Sequence, residues 1–253
     1  MADFNKDFEG LRAIVTGGAS GIGAATGSML FSRGARVSVL DRQEPLNPVN
    51  GIHYLSCDIQ DRSSVEKSVH TSASTMGGLD IVINNAGIGA AGAVDANDDA
   101  EWHRVLDVNV VGTARVCAAA LAYLRQSSSA SIVNVSSLVA LAGIPQRVLY
   151  AATKGAIYAL TLSMAADHVK EGIRVNCVLP GTADTPWVAR LLSASPDPAA
   201  MEKALIARQP LGRLVNPQEI AFAICYLASP LAGSTTGTGL GVDGGIMGLR
   251  IPQ

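Results

Sequence analysis

Apolar residues recur along the chain in two alternating patterns. Short runs rich in β-branched residues predict strands at Arg12–Thr16, 36–40, 53–57, 80–83, Ser131–Val135, 174–179 and 238–242. Longer stretches with helical spacing of apolar positions predict helices at 22–32, 63–75, 100–124, 150–169 and Pro217–Ala228. Apolar strands separated by helices are typical of an α/β fold, here a doubly wound parallel sheet of about seven strands with helices on both faces. The 253 residues fit a single domain, 1–253.

Two segments depart from this alternation. Residues 43–50 contain two prolines and are too short for a crossover helix, so we expect a turn or a vestigial helix there. Residues 182–212 contain four prolines and predict an irregular segment with short helical pieces. We call residues 182–212 the lid segment, because long loops beside a ligand site often close over the substrate.

The composition argues against several classes of function. A net charge of −2 at pH 7 argues against nucleic acid as the main partner. The four cysteines form no C-x-x-C pair and the four histidines lack metal-ligand spacing, so neither a disulfide framework nor a metal site is expected. No signal-peptide pattern occurs at the N-terminus and no apolar run is expected to reach transmembrane length, which predicts a cytoplasmic protein without a membrane partner.

A glycine-rich turn follows the first predicted strand. Residues 16–23 read T-G-G-A-S-G-I-G and open the first helix. Glycines allow the backbone to bend sharply and to approach a pyrophosphate, and the amides at a helix N-terminus bind that anion. The turn therefore favours a dinucleotide site, and a tight turn that binds no ligand is the alternative.

Acidic residues at two strand ends refine the choice of dinucleotide. Asp41 ends the second strand, where a carboxylate can bind the adenosine ribose hydroxyls and repel the 2′-phosphate of NADP. This favours NAD, with a solvated loop acid as the alternative and with Arg42 beside it as a counter-argument. Asp58, at the end of the third strand, either accepts a hydrogen bond from the adenine amino group or caps the next helix. Asn84 or Asn85 can bind backbone groups that the fourth strand leaves unpaired.

A tyrosine and a lysine one helical turn apart carry the candidate chemistry. Tyr150 and Lys154 lie on one face of the predicted helix and can reach one pocket. A phenol titrates near pH ~10, and a nearby ammonium should lower that pKa so that Tyr150 exchanges a proton with an alcohol or carbonyl oxygen. Ser136 and Ser137 end the fifth strand and can hold that oxygen, whereas a surface pair and turn-capping serines are the alternatives. Asn109 lies in an apolar helix, as a structural amide or as a member of a proton relay.

In their order and spacing, these residues resemble the short-chain dehydrogenase/reductase family over nearly the whole chain. The matching motifs are T-G-G-A-S-G-I-G at 16–23, N-N-A-G at 84–87, Asn109, S-S at 136–137, Y-A-A-T-K at 150–154 and P-G-T-A-D-T at 180–185. The resemblance implies a single-domain Rossmann-type fold and NAD-dependent hydride transfer at a CH–OH or carbonyl carbon. It also implies a homotetramer.

The same resemblance implies roles for individual residues. Tyr150 would be the acid/base, Lys154 would lower its pKa and bind the nicotinamide ribose, and Ser137 would orient the substrate oxygen. Asn109 would complete a catalytic tetrad by supporting a water that links Lys154 to solvent. Residues 180–185 would fix the carboxamide. The predicted cofactor site consists of Gly17, Ser20, Gly21, Ile22, Gly23, Asp41, Arg42, Cys57, Asp58, Ile59, Asn85, Ala86, Gly87, Tyr150, Lys154, Pro180, Gly181, Thr182 and Thr185.

Arginines near the catalytic helix suggest an acidic substrate. Arg147 and Arg208 resemble carboxylate-binding arginines of NAD-dependent 2-keto-3-deoxy-L-fuconate and L-rhamnonate dehydrogenases and of type 2 cytosolic 3-hydroxybutyrate dehydrogenases. This resemblance implies a small hydroxy acid, and the lid tryptophan favours a 2-keto-3-deoxy-L-sugar acid oxidised at C4, with a 3-hydroxybutyrate-type acid as the alternative. The predicted substrate-binding residues are Ser137, Arg147, Tyr150, Trp187 and Arg208.

Other interpretations stay open at this point. Arg190 and Arg250 are interpreted as surface residues and Arg213 as an anchor of the lid segment. An acyl-carrier or steroid reductase would share the fold, but Asp41 counts against it because biosynthetic reductases usually prefer NADPH. A non-catalytic NAD-binding scaffold is the alternative from another class, and it would need no catalytic tetrad.

Overall fold

Seven parallel strands form one sheet in a computed structural model that describes residues 6–45 and 47–250. The strands are β1 (Arg12–Thr16), β2 (Arg36–Asp41), β3 (His53–Ser56), β4 (Ile81–Asn84), β5 (Ser131–Val135), β6 (Arg174–Pro180) and β7 (Gly239–Val242). The α-helices are α1 (Gly21–Ser32), α2 (Arg62–Met76), α3 (Asp99–Leu106), α4 (Gly112–Leu124), α5 (Val148–His168), α6 (Pro186–Ser193), α7 (Pro198–Ala207) and α8 (Pro217–Ala228). The predicted Rossmann-type fold class is confirmed.

The sheet is buried on both faces, which explains why its strands are apolar without interruption. Along β1, Ala13 and Val15 pack into the core that includes α1 and α8, while Ile14 faces the core that includes α2, α4 and α5. Successive side chains of a strand point to opposite faces, so one short apolar run serves two cores.

The strand order places a crevice at the carboxyl ends of β1 and β4. The sheet runs β3-β2-β1-β4-β5-β6-β7, so the chain first proceeds outward from β1 in one direction and then returns to continue in the other. The connections that leave β1 and β4 therefore diverge, and ligands of open α/β sheets bind at such a point. Thr16 and Asn85, at the ends of these two strands, are in hydrogen-bond contact there.

The helix predicted over 100–124 is interrupted by a π-helical turn, Asp107–Val111, between α3 and α4. One extra residue in a helical turn shifts the faces on either side, and such turns are frequent at functional sites. Asn109 lies within this turn and is buried. Sequence periodicity did not separate α3 from α4, because apolar spacing continues through the turn.

Residues 43–50 and the lid segment, which interrupt the predicted alternation of strands and helices, have different structures from each other. No helix connects β2 to β3 within the described part of 43–50, from which Leu46 is excluded. The lid segment contains two helices, α6 and α7, each with a proline in its first turn and a side-chain N-cap, from Thr185 and Asp197 respectively. Proline at the start of a helix and a capping oxygen explain why helices begin in this proline-rich region.

Two helical segments are exceptions, by length and composition only, to the prediction that no apolar run reaches transmembrane length. Asp99–Leu124 and Val148–Glu171 are both long and apolar enough to cross a membrane by these two criteria. Both segments have a face packed inside the fold, where Val116 and Cys117 of α4 and Ala165 of α5 contribute to a core beneath the sheet. Helices that cover a buried parallel sheet are apolar for that reason alone.

Candidate active site

A cleft of about 470 Å³ lies at the carboxyl ends of the strands. Its walls come from the glycine-rich turn, the ends of β2 to β6, the start of α5 and the lid segment. Every predicted cofactor-binding, substrate-binding and catalytic residue lines this cleft except Gly23 and Asn109. The structure therefore brings together residues that are more than one hundred positions apart, such as Ser20 and Tyr150.

Gly23 lies outside the cleft, where it permits close packing. A Cβ at this position would lie 2.3 Å from the carbonyl oxygen of Gly17 and 2.5 Å from Nδ2 of Asn85. The Asn85 amide donates hydrogen bonds of 3.0 Å to the Thr16 carbonyl and of 2.9 Å to the Gly17 carbonyl. Gly23 therefore supports the shape of the turn from behind, and its predicted part in cofactor binding stays a prediction.

The carboxylate of Asp41 is held against the glycine-rich turn. Its Oδ2 accepts a 3.0 Å hydrogen bond from the Ala19 amide, and its Oδ1 accepts one of 3.0 Å from the Gln43 amide. These two amides fix the carboxylate at the end of β2, on the wall of the cleft. Arg42 forms a long ion pair of 3.6 Å with Asp58, and both side chains are largely exposed.

The two interpretations of Asp58 are partly separated by the structure. The N-cap of α2 is Asp61, whose side chain accepts a hydrogen bond from the Ser63 amide, so the capping interpretation of Asp58 is wrong. Asp58 instead receives a 3.0 Å hydrogen bond from the Gln60 amide and lines the cleft. It remains available to a ligand at the end of β3.

Tyr150 and Ser137 meet at the inner end of the cleft. Burial raises the pKa of Tyr150 to about 12, while a hydrogen bond from Ser137 and the positive charge of Arg147 act in the opposite direction. The prediction of a lowered phenol pKa is therefore wrong, because loss of hydration is the largest effect. At neutral pH the phenol is protonated and can donate a hydrogen bond or a proton to an oxygen beside it.

Lys154 is buried close to the ring of Tyr150. Its Nζ lies 5.6 Å from the centroid of that ring and donates a 2.8 Å hydrogen bond to the Val135 carbonyl. Burial lowers the pKa of Lys154 to about 8, so the group is still mostly an ammonium at neutral pH. The ammonium is thus held in the cleft wall by the end of β5, next to the phenol, as the one-turn spacing predicted.

Asn109 is positioned behind the cleft rather than on its wall. Its Oδ1 accepts a 2.8 Å hydrogen bond from the Ile88 amide, and its Nδ2 donates to the Ile88 carbonyl at 2.9 Å and to Oγ1 of Thr153 at 3.0 Å. These bonds connect the π-helical turn, the loop after β4 and the first turns of α5. They agree with the structural interpretation of Asn109, and its part in a water relay stays a prediction.

The arginines near the cleft divide differently from the prediction. Arg147 and Arg208 line the cleft as expected. Arg190, interpreted above as a surface residue, is exposed but also lines the cleft, and so does Arg104, which no sequence motif singled out. Arg213 forms a two-point ion pair with Glu219 of α8 and so anchors the end of the lid segment.

Sequence reasoning also missed the backbone that presents Arg147. Gln146 adopts φ of 60°, in the left-handed region that non-glycine residues rarely occupy. Its carbonyl accepts a 3.0 Å hydrogen bond from the Gly92 amide, and Gly92 forms an isolated bridge with Arg147. A positive φ at a glutamine has no reliable sequence signal, because tertiary contacts impose it.

Comparison with known proteins agrees with this geometry. The family model described as enoyl-(acyl carrier protein) reductase, one of the short-chain dehydrogenase/reductase models, matches residues 17–247. The chain belongs to the short-chain dehydrogenase/reductase family. Cis-4-hydroxycyclohexanecarboxylate dehydrogenase of Sinomonas cyclohexanicum is 40% identical, with 92% of this chain and 95% of that protein covered. L-fucose dehydrogenase of Bos taurus is 37% identical over 94% of this chain and 90% of its own length.

Solved structures give the same result. Aldohexose dehydrogenase of Thermoplasma acidophilum superposes with a TM-score of 0.91 at 31% identity, covering 98% of this chain and 99% of the other. This short-chain dehydrogenase/reductase is therefore an enzyme, an oxidoreductase acting on CH–OH groups. Members of this kind use NAD or NADP, and the cleft has the glycine-rich turn and the strand-end positions that such a dinucleotide requires.

Proposed function

We propose that this short-chain dehydrogenase/reductase uses NAD to oxidise a secondary alcohol of a small hydroxy acid. The observation that carries the proposal is a pair of arginines, Arg147 and Arg208, in the same cleft as Tyr150 and Ser137. A substrate that places its alcohol at Tyr150 has an anion site within the same cavity. The substrate class, the choice of NAD and the individual roles below are parts of this proposal.

The electrostatics of the cleft favour an anionic substrate. Burial lowers the pKa of Arg147, and the positive charge of Arg208 acts in the same direction. Two cations that face one cavity repel each other, and a carboxylate between them relieves that repulsion. Among the described residues that line the cleft, the carboxylates are Asp41 and Asp58, at the ends of β2 and β3. We call the part of the cleft lined by the segment before α5, the start of α5, the lid segment and Ile246 the substrate half, and the rest the cofactor half. The substrate half thus has unbalanced positive charge.

The remaining walls of the substrate half are mainly apolar. They are formed by Leu138, Val139, Ile144, Trp187, Leu191, Leu205 and Ile246. A 2-keto-3-deoxy-L-sugar acid oxidised at C4 is the substrate proposed from the sequence, with 3-hydroxybutyrate as the alternative. Because apolar walls leave hydroxyl groups without partners, they favour a second candidate, an alicyclic hydroxy acid such as the one named in the Sinomonas relative.

The position of Asp41 supports NAD. Its carboxylate is fixed by two backbone amides at the end of β2, where the ribose 2′-hydroxyl of a dinucleotide can donate to it. A 2′-phosphate at this place would meet a like charge. Arg42, which could have balanced that phosphate, pairs instead with Asp58.

The residues of the inner cleft perform the proton chemistry. A nicotinamide dinucleotide held in this cleft would supply the hydride chemistry, and the protein's own residues handle the proton. As the phenolate, Tyr150 takes the hydroxyl proton during oxidation; as the phenol, it gives its proton to the carbonyl oxygen during reduction. Ser137 hydrogen-bonds to the same oxygen, and the ammonium of Lys154 favours the phenolate while the proton is away. The protonated phenol at neutral pH is ready for the reductive direction.

A substrate panel tests the proposal directly. Purified protein is assayed by NADH absorbance with 2-keto-3-deoxy-L-fuconate, 2-keto-3-deoxy-L-rhamnonate, 3-hydroxybutyrate and cis-4-hydroxycyclohexanecarboxylate, each with NAD and with NADP. We expect turnover of at least one acid with NAD and poorer turnover of its methyl ester. Equal kinetics on acid and ester would contradict the anion site, and tighter NADP binding would contradict the cofactor.

Two further predictions follow from the family and remain proposals. We expect a homotetramer located in the cytoplasm. Light scattering on the purified protein measures its mass and so tests the tetramer. A non-catalytic scaffold remains the alternative from another class. Absence of turnover on every acid and alcohol tested, together with normal dinucleotide binding, would favour the scaffold.

A further inference from the structure

The indole of Trp187 rests directly on the backbone of Gly89. A Cβ built on Gly89 would lie 2.5 Å from Cζ2 of Trp187 and 3.2 Å from its Cε2. Carbon atoms in favourable contact are about 3.5–4.0 Å apart. Even the smallest side chain at residue 89 would therefore displace the indole.

Space, rather than backbone conformation, accounts for the glycine at this position. Gly89 does not have the positive φ that many glycines of this chain have, among them Gly17 and Gly92. Its φ therefore does not explain the glycine. The one consequence of glycine here is that the loop after β4 has a flat surface, on which the indole lies.

The contact bridges the cleft between two segments that are about a hundred residues apart. Trp187 belongs to α6 of the lid segment, and Gly89 follows β4. At the base of the lid segment, a Cβ on Gly21 would be 3.4 Å from Cγ2 of Thr185, so α6 begins beside the glycine-rich turn. The lid segment thus touches the glycine-rich turn at Thr185 and the loop after β4 at Trp187.

Trp187 and Gly89 both line the cavity that contains Tyr150, Arg147 and Arg208. Trp187 as a residue is 44% exposed, so part of its surface remains uncovered while the ring packs on the glycine. A flat apolar wall beside a cationic pair suits a compact acid whose carbon skeleton packs on the ring.

We propose that Gly89 and Trp187 act as a paired specificity element of the substrate pocket. The missing side chain at residue 89 admits the indole, and the seated indole sets the position of α6 and the room left beside Tyr150. The identity of the substrate rests on the proposed function. The seating of Trp187 on Gly89 does not, and it can be measured without turnover.

A double-mutant cycle tests the pairing. We expect Gly89→Ala to raise KM for the best acid about tenfold with kcat changed less than about threefold, because the added methyl overpacks the wall and displaces α6. Phenylalanine is shorter than tryptophan, so the same change should raise KM less than about threefold in a Trp187→Phe background. The matched control is Gly143→Ala, where a Cβ would meet nothing within 4 Å.

Fluorescence supplies a readout that needs no substrate. The sequence has two tryptophans, so Trp102→Phe makes Trp187 the single tryptophan that emits. In that background Gly89→Ala should shift the emission to longer wavelength and increase quenching by acrylamide, and Gly143→Ala should do neither. Unchanged emission overturns the pairing whether or not any acid is turned over. An equal effect of Gly89→Ala on KM in both backgrounds overturns it as well, whereas absence of turnover with a changed emission contradicts only the proposed function.

Discussion

The cofactor half and the substrate half of the cleft are constructed in different ways. In the cofactor half, backbone contacts set the shape. Gly17 has a φ of 66° and lies against Ala86, and Gly23 lies against the Gly17 carbonyl, with no room for a methyl group at either position. In the substrate half, side chains from the segment before α5, the start of α5 and the lid segment line the cavity.

This difference determines which properties each half can change. A site made by backbone geometry binds one kind of ligand. The amides of a glycine turn and a helix N-terminus contact the pyrophosphate, and side-chain substitutions do not change those amides. A site made by side chains on loops can accept a new substrate through one substitution. On the proposed function, the apolar walls and the arginine pair would therefore set which acid this enzyme accepts.

The largest expected effect concerns the group shared by both halves. Tyr150→Phe removes the proton donor and acceptor and should lower kcat by about 10²–10⁴-fold. Dinucleotide binding, followed by protein fluorescence, should change little. The control is Tyr226→Phe on the exposed surface of α8, which should retain full activity. Unchanged turnover in the Tyr150 variant would require a different acid/base.

The next effect separates the substrate half from the cofactor half. Arg147→Met or Arg208→Met should raise KM for acids about 10–100-fold, because a charge-assisted hydrogen bond to the carboxylate is lost. Affinity for NAD should stay within about twofold, and KM for a neutral ester should change little. Arg250→Met, at an exposed position of the C-terminal segment, is the control. If NAD affinity falls and KM for the acid does not change, these arginines contact the dinucleotide and not the substrate.

A smaller effect tests the cofactor half. Asp41→Asn keeps an oxygen acceptor for the Ala19 amide and removes the negative charge. We expect the ratio of kcat/KM with NADP to that with NAD to rise about tenfold, since one like-charge repulsion is removed. Asp167→Asn, an exposed residue of α5, is the control. A ratio that stays constant would show that another residue selects the cofactor.

The smallest effect concerns the anchor of the lid segment. Arg213→Met removes the two-point ion pair with Glu219. In the parent, hydrogen bonds from the Arg213 side chain and the Asn216 backbone lower the pKa of Glu219 to about 2. A carboxylate with a depressed pKa adds stability above its unfolded-state pKa, near 4.5, and loses that contribution as the pH falls through about 2. The melting temperature should therefore be slightly lower than that of the parent at pH 7, and the difference should shrink between pH 4.5 and pH 2. Both side chains are exposed, so a large loss at pH 7 would contradict a simple surface pair.

The sequence by itself determined the α/β architecture, the glycine-rich turn, the acid at the end of β2 and the spacing of Tyr150 and Lys154. These features are local, because strand period, helix period and turn chemistry act over a few neighbouring residues. Parallel strands then bring their carboxyl ends to one edge of the sheet whatever the loops contain.

The tertiary structure alone decided which arginines face the cleft, that Asp61 rather than Asp58 caps α2, and that Trp187 packs on Gly89. It also reversed the predicted direction of the pKa of Tyr150. The cap is a local choice between two aspartates three residues apart. The other outcomes depend on distances between segments far apart in the chain, and on how much water those segments exclude when they pack. No sequence period encodes such distances, since they result from packing of the whole domain.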